Sequence, residues 1–328
     1  MHGLCASLTG FVRIIGCIIP TVGPFCENPR MSSTPSTPFL PDNRDAFAAW
    51  RERKLDNYPK TIGDLIVEIN DPRTLSQAEH DKLLALCQKS NMAIWAGLSG
   101  HDADKEIIRN LGLSFGLSHL DHNMCADNDA ITSLSVQSDT LHQGYIPYSN
   151  RPIAWHTDGY YNAPDQQIHA LLLHCVQPAE EGGENDLLDH EIVFMRIMEE
   201  NPDYIRALMH PQAMTIPANT ANDKELRPAR SGPVFAIHPD GHLHMRYTDR
   251  SRSIEWLDDP LLREAVAFLK SVLKTPSPWH FHGRLEAGQG LICNNVLHTR
   301  TGFTDGERSR LLYRARYYDR IHYCSGPG

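Results

Sequence analysis

The sequence lacks an uninterrupted apolar run of the roughly 20 residues that a membrane-spanning helix needs. The nearest approach, Leu4 to Cys26, is split by Arg13 and carries no basic segment ahead of it, so a span or a cleaved signal is not expected. There is no dense basic stripe either, and the net charge is −9, which argues against a nucleic-acid-binding surface as the main function. Eight cysteines are present without one Cys-x-x-Cys pair. Cys87, Cys125, Cys175 and Cys293 are widely separated, so reduced cytosolic (cytoplasmic) thiols are expected rather than a disulfide framework. Cys175 and Cys293 fall in apolar runs and read as core. No internal repeat and no Gly/Ser-rich linker follows residue 60, and a single domain is expected over 41–328. What remains is ordinary globular usage, 41% hydrophobic and 22% charged. That balance suits a small-molecule substrate, with no nucleic acid and no membrane as partners, and leaves a homo-oligomer open. Residues 1–40 stand apart as a disordered leader or an N-terminal extension; the stretch from Met31 to Pro38 is Ser/Thr/Pro-rich, and with Met31 as the natural start the segment before it would be the extension.

Against this background two distant segments stand out, Trp155-His156-Thr157-Asp158-Gly159 and His298-Thr299-Arg300-Thr301-Gly302-Phe303. Two imidazoles and one carboxylate on one face of a metal leave the opposite face open, the arrangement of non-haem Fe(II) oxygenases. The His-x-Asp spacing also occurs at His119-Leu120-Asp121 and His238-Pro239-Asp240, so context has to separate the three. The first sits in a polar stretch and the second reads as a Pro-Asp-Gly turn, both loop positions. His156 instead ends an extended segment, in which His156 and Asp158 would share a face because side chains alternate with period two. His298 follows two apolar pieces that flank Asn294-Asn295, read as strand, turn and strand. Asn tolerates left-handed backbone, so the chain can reverse there and aim His298 at the site.

Downstream, Arg308, Arg310, Arg314 and Arg316 interleave with Leu311, Leu312, Tyr313, Tyr317 and Tyr318 in a segment that reads as a strand. Arg310, Leu312, Arg314 and Arg316 would share its face, with Arg310 and Arg314 roughly 13 Å apart. The competing reading is an edge strand guarded by charge.

With these residues in place the sequence resembles the TauD/TfdA family of Fe(II)- and 2-oxoglutarate-dependent dioxygenases. The resemblance rests on WHTDG at 155–159, GGEND at 182–186, LHTRTGF at 297–303 and RLLYR at 310–314, and covers about residues 60–320. It implies a double-stranded β-helix, that is, a jelly roll, mainly β with flanking helices. It implies His156, Asp158 and His298 as iron ligands, Arg310 as the anchor of the far carboxylate of 2-oxoglutarate, and Arg314 as a second arginine facing cosubstrate or substrate. Where the family often places a Thr after the Gly-Gly pair, this chain has Glu184-Asn185-Asp186, and Asn185 can donate the same kind of bond to the cosubstrate. The implied reaction uses O2, hydroxylates a small and anionic organic substrate, and releases succinate and CO2. Asp158 stands where halogenating relatives carry a small residue, which favours hydroxylation.

Capping chemistry marks the helices. Ser76-Gln77-Ala78-Glu79 predicts one over about 76–89, Asp259-Pro260 opens another with an apolar stripe, Asn201-Pro202 starts a shorter one, and Leu187 to Glu200 holds a fourth. Ala170 to Val176, Pro233 to His238 and His242 to Tyr247 read as strands of the jelly roll. Arg314, Arg246, Tyr160, Tyr161, His142 and Tyr145 are candidates to line a substrate pocket, although core and rim roles are commoner for such residues and His242 and Arg246 could face solvent from a strand. Two other classes compete: a cupin-like isomerase or sensor without oxygen chemistry, and a catalytically silent family member. Arg310 speaks against the first, because a bare metal site has no need of a carboxylate anchor.

Overall fold

Side-chain caps fix where the main helices begin. Ser76 and Glu79 form a reciprocal capping box at the head of the helix Gln77–Ser90, and Asp259 accepts a 2.7 Å hydrogen bond from the Leu262 amide to start Pro260–Lys274. Asn201 does the same for the short helix Pro202–Leu208. The expected helix within 187–200 starts only at His190, where Asp189 caps it; Leu187 and Leu188 belong to a strand instead. Two further helices were not expected from the sequence, Arg44–Leu55, which Asn43 caps by accepting from the Ala46 amide at 3.4 Å, and Glu106–Ser114. The second has Lys105 at its cap position with no side-chain bond, and the first buries only Phe47 and Lys54.

The computed structural model describes residues 37–122, 127, 129–137, 146–221, 224–250 and 254–321. The leader as far as residue 36, Cys125, His142 and Tyr145 lie outside the described residues. Among those described, the fold is mainly β with six flanking helices around a jelly-roll core.

The larger sheet has six strands in the order Ile66–Glu68, Met92–Ala96, Gln289–Cys293, Ala170–Gln177, Leu311–Tyr317 and Thr132–Leu134. Its first pair is parallel and the remainder antiparallel. Both faces are apolar, which is why its strands read as near-continuous hydrophobic runs. Leu171, Leu173 and Cys175 point into the main core, while Ala170, Leu172 and Val176 point into a second cluster under the helices Gln77–Ser90 and Glu106–Ser114. The smaller sheet runs Phe281–Gly283, Asn185–Leu188, Leu297–Arg300 and Ile153–His156, all antiparallel. It borders the main core, in which Leu187, Leu188 and Leu297 are buried.

The arginine segment forms a strand as expected, Leu311–Tyr317, but an internal one, paired on both sides; the edge-strand reading therefore fails. Leu312 faces the main core while Tyr313, Ala315 and Tyr317 face the second cluster, so Leu312, Arg314 and Arg316 share the inner face. Cys87, Cys175 and Cys293 are free and buried, in keeping with reduced thiols in the core. No helix among the described residues is long and apolar enough to cross a membrane.

Candidate active site

His156 ends the strand Ile153–His156 and His298 lies opposite it on Leu297–Arg300, in direct antiparallel register. The pairing sets the two imidazoles side by side, ring centroids 4.2 Å apart. Asp158 is past the end of its strand and not within an extended run, so the simple alternation expected from the sequence does not bring it in. A turn does: Gly159 adopts φ +69°, and a Cβ there would sit 2.4 Å from Ile168 Cγ1, which is why glycine closes the WHTDG segment. The carboxylate swings back until Oδ1 is 3.5 Å from His156 Nε2. One ligand atom from each of His156, Asp158 and His298 falls within 4.8 Å of the other two.

Each donor is oriented for this. His156 Nδ1 is 2.9 Å from the Ala154 carbonyl and His298 Nδ1 is 3.0 Å from the Val296 carbonyl. A carbonyl only accepts, so both Nδ1 atoms carry the proton and both Nε2 atoms keep their lone pairs. His298 is buried, and burial followed by repulsion from His156 drops its pKa to about 4, which keeps the ring neutral. Burial alone would raise the Asp158 pKa, yet the charge of the nearby Arg314 guanidinium, the largest opposing influence, holds the carboxyl well below the usual range. Asp158 is thus an ionised carboxylate whose Oδ2 is buried without accepting a hydrogen bond, Arg314 Nη1 standing 3.4 Å away. Two imidazole lone pairs and a half-satisfied buried carboxylate fit a divalent iron ion.

Sequence reasoning placed Asn295 at a turn, and it is there, with φ +50°. Its second task was not foreseen. The side chain accepts from the Asp158 amide at 2.8 Å and donates to the Asp158 carbonyl at 2.9 Å and the Ile168 carbonyl at 2.7 Å, locking the Asp158 turn to the His298 turn. The signal was an asparagine, with donor and acceptor on one side chain, three residues before a candidate ligand.

Arg310 lies four residues before Arg314, against a small cleft that Gly183, Asn185 and Leu312 also line. Its guanidinium is buried and stacks over the Phe303 ring at 4.9 Å, and burial lowers its pKa. Among the described residues no carboxylate pairs with it. Asn185 turns one amide hydrogen to the Thr299 carbonyl at 2.6 Å. The remaining arginines divide differently from expectation. Arg308 is exposed. Arg314 is committed to Asp158, and Arg316 to Asp121 and the Tyr161 hydroxyl. Arg246 does not face solvent: it is buried and donates to the carbonyls of Tyr160, Met214 and Arg230 at 2.7, 2.9 and 2.8 Å. A strand position reads the same in sequence whether its outer end meets water or a layer of loop carbonyls. The His119-x-Asp121 spacing is likewise structural through Asp121, while His119 is exposed.

Two histidines and one carboxylate converging at the ends of the smaller sheet of a jelly roll are the donor set of a facial triad. The profile of the Taurine catabolism dioxygenase TauD, TfdA family matches residues 53–316, and the chain belongs to that family. Two bacterial uridine-5'-phosphate dioxygenases are similar to it. The one from Amycolatopsis sp is 31% identical over 173 residues, 50% of this chain and 60% of the relative. The one from Streptomyces sp is 30% identical over 200 residues, 58% of this chain and 69% of the relative. The chain thus spans about three fifths of the first relative's length. Among solved structures, an asparagine oxygenase in complex with Fe(II), 3-hydroxyasparagine and succinate superposes with a TM-score of 0.55 at 13% identity, covering 74% of this chain and 80% of that one. A taurine dioxygenase from Burkholderia xenovorans gives 0.51 at 17%, covering 79% and 89%. At such identities the likeness is one of fold.

Proposed function

We propose that the chain is an Fe(II)- and 2-oxoglutarate-dependent dioxygenase that hydroxylates a small anionic substrate, with His156, Asp158 and His298 as the iron ligands. The observation that carries this reading is Arg310, a buried guanidinium without a carboxylate partner among the described residues, immediately before the strand whose Arg314 reaches the triad. A buried cation is stable only with a partner, and a bare metal site or an inert scaffold gives no reason to keep one. The far carboxylate of 2-oxoglutarate would supply that partner, held by the Arg310 guanidinium with Asn185 at the same cleft. Iron at this triad, with cosubstrate and O2, supplies the oxidising power for C–H hydroxylation, with succinate and CO2 released.

The protein's own part is positioning and charge. The Ala154 and Val296 carbonyls fix the tautomers of the two ligand histidines, so their Nε2 atoms are presented ready. Arg314 keeps Asp158 ionised and limits its negative charge. Asn295 holds the two ligand-bearing turns together. A substrate with an acidic group is supported by the relatives named for uridine 5'-phosphate, a phosphate-bearing compound. It draws less support from the arginines than the sequence suggested, because Arg246 and Arg314 are already engaged within the fold.

Anaerobic titration of Fe(II)-loaded protein with 2-oxoglutarate tests the reading. A weak visible charge-transfer band is expected on chelation of the keto acid. In Arg310→Ala the band needs on the order of 30-fold more cosubstrate, the effect of truncating one side of a buried charge pair. Iron bound without any band in the wild type would move the assignment to a non-oxygenase metal protein. Oxygen uptake with uridine 5'-phosphate, compared with sulfonates and amino acids, then sorts the substrate class.

A further inference from the structure

A second group of histidines lies apart from the triad and shares no residue with it. The strands Phe235–Ile237 and Leu243–Met245 form an antiparallel hairpin. Its turn is held by the His238 amide donating to the His242 carbonyl at 2.9 Å and the Gly241 amide donating to the His238 carbonyl at 2.8 Å. His238 and His242 therefore face each other across the hairpin, rings stacked with centroids 4.5 Å apart. His169, which immediately precedes the strand Ala170–Gln177, meets them edge-on at 4.4 Å and 5.4 Å. His244, two residues past His242 on the same face, is 5.0 Å from His169. The group borders a cavity of about 330 Å³ whose other walls include Tyr318, Asp319 and Arg320.

We propose that His169, His238 and His242 form a second metal site, for a divalent transition ion of zinc-like preference. One ligand atom from each lies within 4.8 Å of the other two, the same closeness as in the triad. Around a tetrahedral zinc with nitrogen ligands at about 2.0–2.1 Å, the nitrogens stand roughly 3.3 Å apart, within reach of small side-chain rotations from this spacing. An all-imidazole donor set favours zinc, copper or nickel over magnesium or calcium, which take oxygen. The surroundings resemble those of a ligand set. The Asp240 carboxylate contacts His242 Nδ1, which leaves Nε2 as the donor and makes the ring more basic, and Gln167 Oε1 is 3.1 Å from His238 Nε2, which directs that ring. Three histidines with a cavity beside them leave a fourth position for water or an exchangeable ligand. An ion there would clamp the hairpin to the strand Ala170–Gln177 of the larger sheet.

The test begins with full-length His156→Ala/His298→Ala protein, which lacks the triad, dialysed against Zn(II) and analysed for metal content alongside its thermal midpoint. One zinc per chain and a raised midpoint are expected. Adding His238→Gln/His242→Gln should remove that zinc and the rise, and adding only Asp240→Asn should weaken binding roughly 10–100-fold. Because the first arm leaves the histidine group intact, failure of the hairpin variants to fold cannot mask the answer. His169→Gln, which leaves the hairpin untouched, serves as the second variant. No zinc in the triad-deficient protein, or zinc that persists after both His169 and the hairpin pair are replaced, would overturn the proposal.

Discussion

Lys54 shows how far a single residue can depart from its usual setting. It lies on the helix Arg44–Leu55, where a lysine ordinarily meets solvent, yet its side chain is 4% exposed and its Nζ is 2.7 Å from Asp189 and 2.5 Å from Glu191. Asp189 also accepts from the Tyr58 hydroxyl and the Asn91 amide while capping the helix His190–Glu200. Lys54→Met would leave two buried carboxylates without their cation, and breaking such a pair costs about 3–5 kcal/mol, measurable in urea unfolding at pH 7. The pH dependence has a definite sign. Burial alone would raise the Glu191 pKa, but Lys54 outweighs it and brings the group from 4.5 to about 2. A depressed carboxylate stabilises the fold above its unfolded value and loses that contribution as pH falls through its folded value. The difference between wild type and Lys54→Met should therefore be full near neutrality and shrink as pH falls from 4.5 toward about 2. A difference that stays constant across that window would refute the assignment.

At the scale of elements, what was legible in the sequence was local chemistry. Ser76 with Glu79, Asp259 before Pro260 and the Asn294-Asn295 turn each carry their signal within a few residues, and each element forms where that signal stands. The triad was legible for the same reason, since WHTDG and LHTRTGF set each ligand within its own short motif. Less legible was whatever depends on a partner far along the chain. Arg314 meets Asp158, Arg316 meets Asp121, and Arg246 meets three loop carbonyls, pairings that no periodicity encodes. Gly290 is a case in point. In sequence it merely starts an apolar run, but in the sheet a Cβ would stand 2.0 Å from the Trp95 ring and 2.4 Å from the Leu173 carbonyl. The neighbour on one side is backbone, so the strand itself must shift, and Gly290→Ala should destabilise the fold by about 1–3 kcal/mol or more. The lowered urea midpoint should be accompanied by weaker metal binding, because the same strand leads into the turn that aims His298. An unchanged midpoint would mean that the sheet yields at this point.

For the molecule as a whole, the strand Leu311–Tyr317 joins stability to function. One of its faces packs Tyr313, Ala315 and Tyr317 into the outer cluster, and the other sets Arg314 against Asp158 of the proposed metal site, four residues beyond Arg310. Among the described residues the buried Arg310 has no carboxylate partner and Asp158 Oδ2 accepts no hydrogen bond, so part of the folding energy is withheld until ligands arrive. Binding should then act as added stability, in steps that can be separated. A ligand present at 100 times its Kd contributes about 2.7 kcal/mol, which for a domain of this size raises Tm by roughly 5 °C. A redox-inert divalent ion such as Mn(II) should produce one increment through His156, Asp158 and His298, and 2-oxoglutarate a second that depends on the metal. Arg310→Ala should keep the first increment and lose most of the second, whereas His298→Ala should lose both. If 2-oxoglutarate raised the Tm of Arg310→Ala as much as that of the wild type, the cosubstrate would have to be anchored elsewhere, and the buried guanidinium would need another partner.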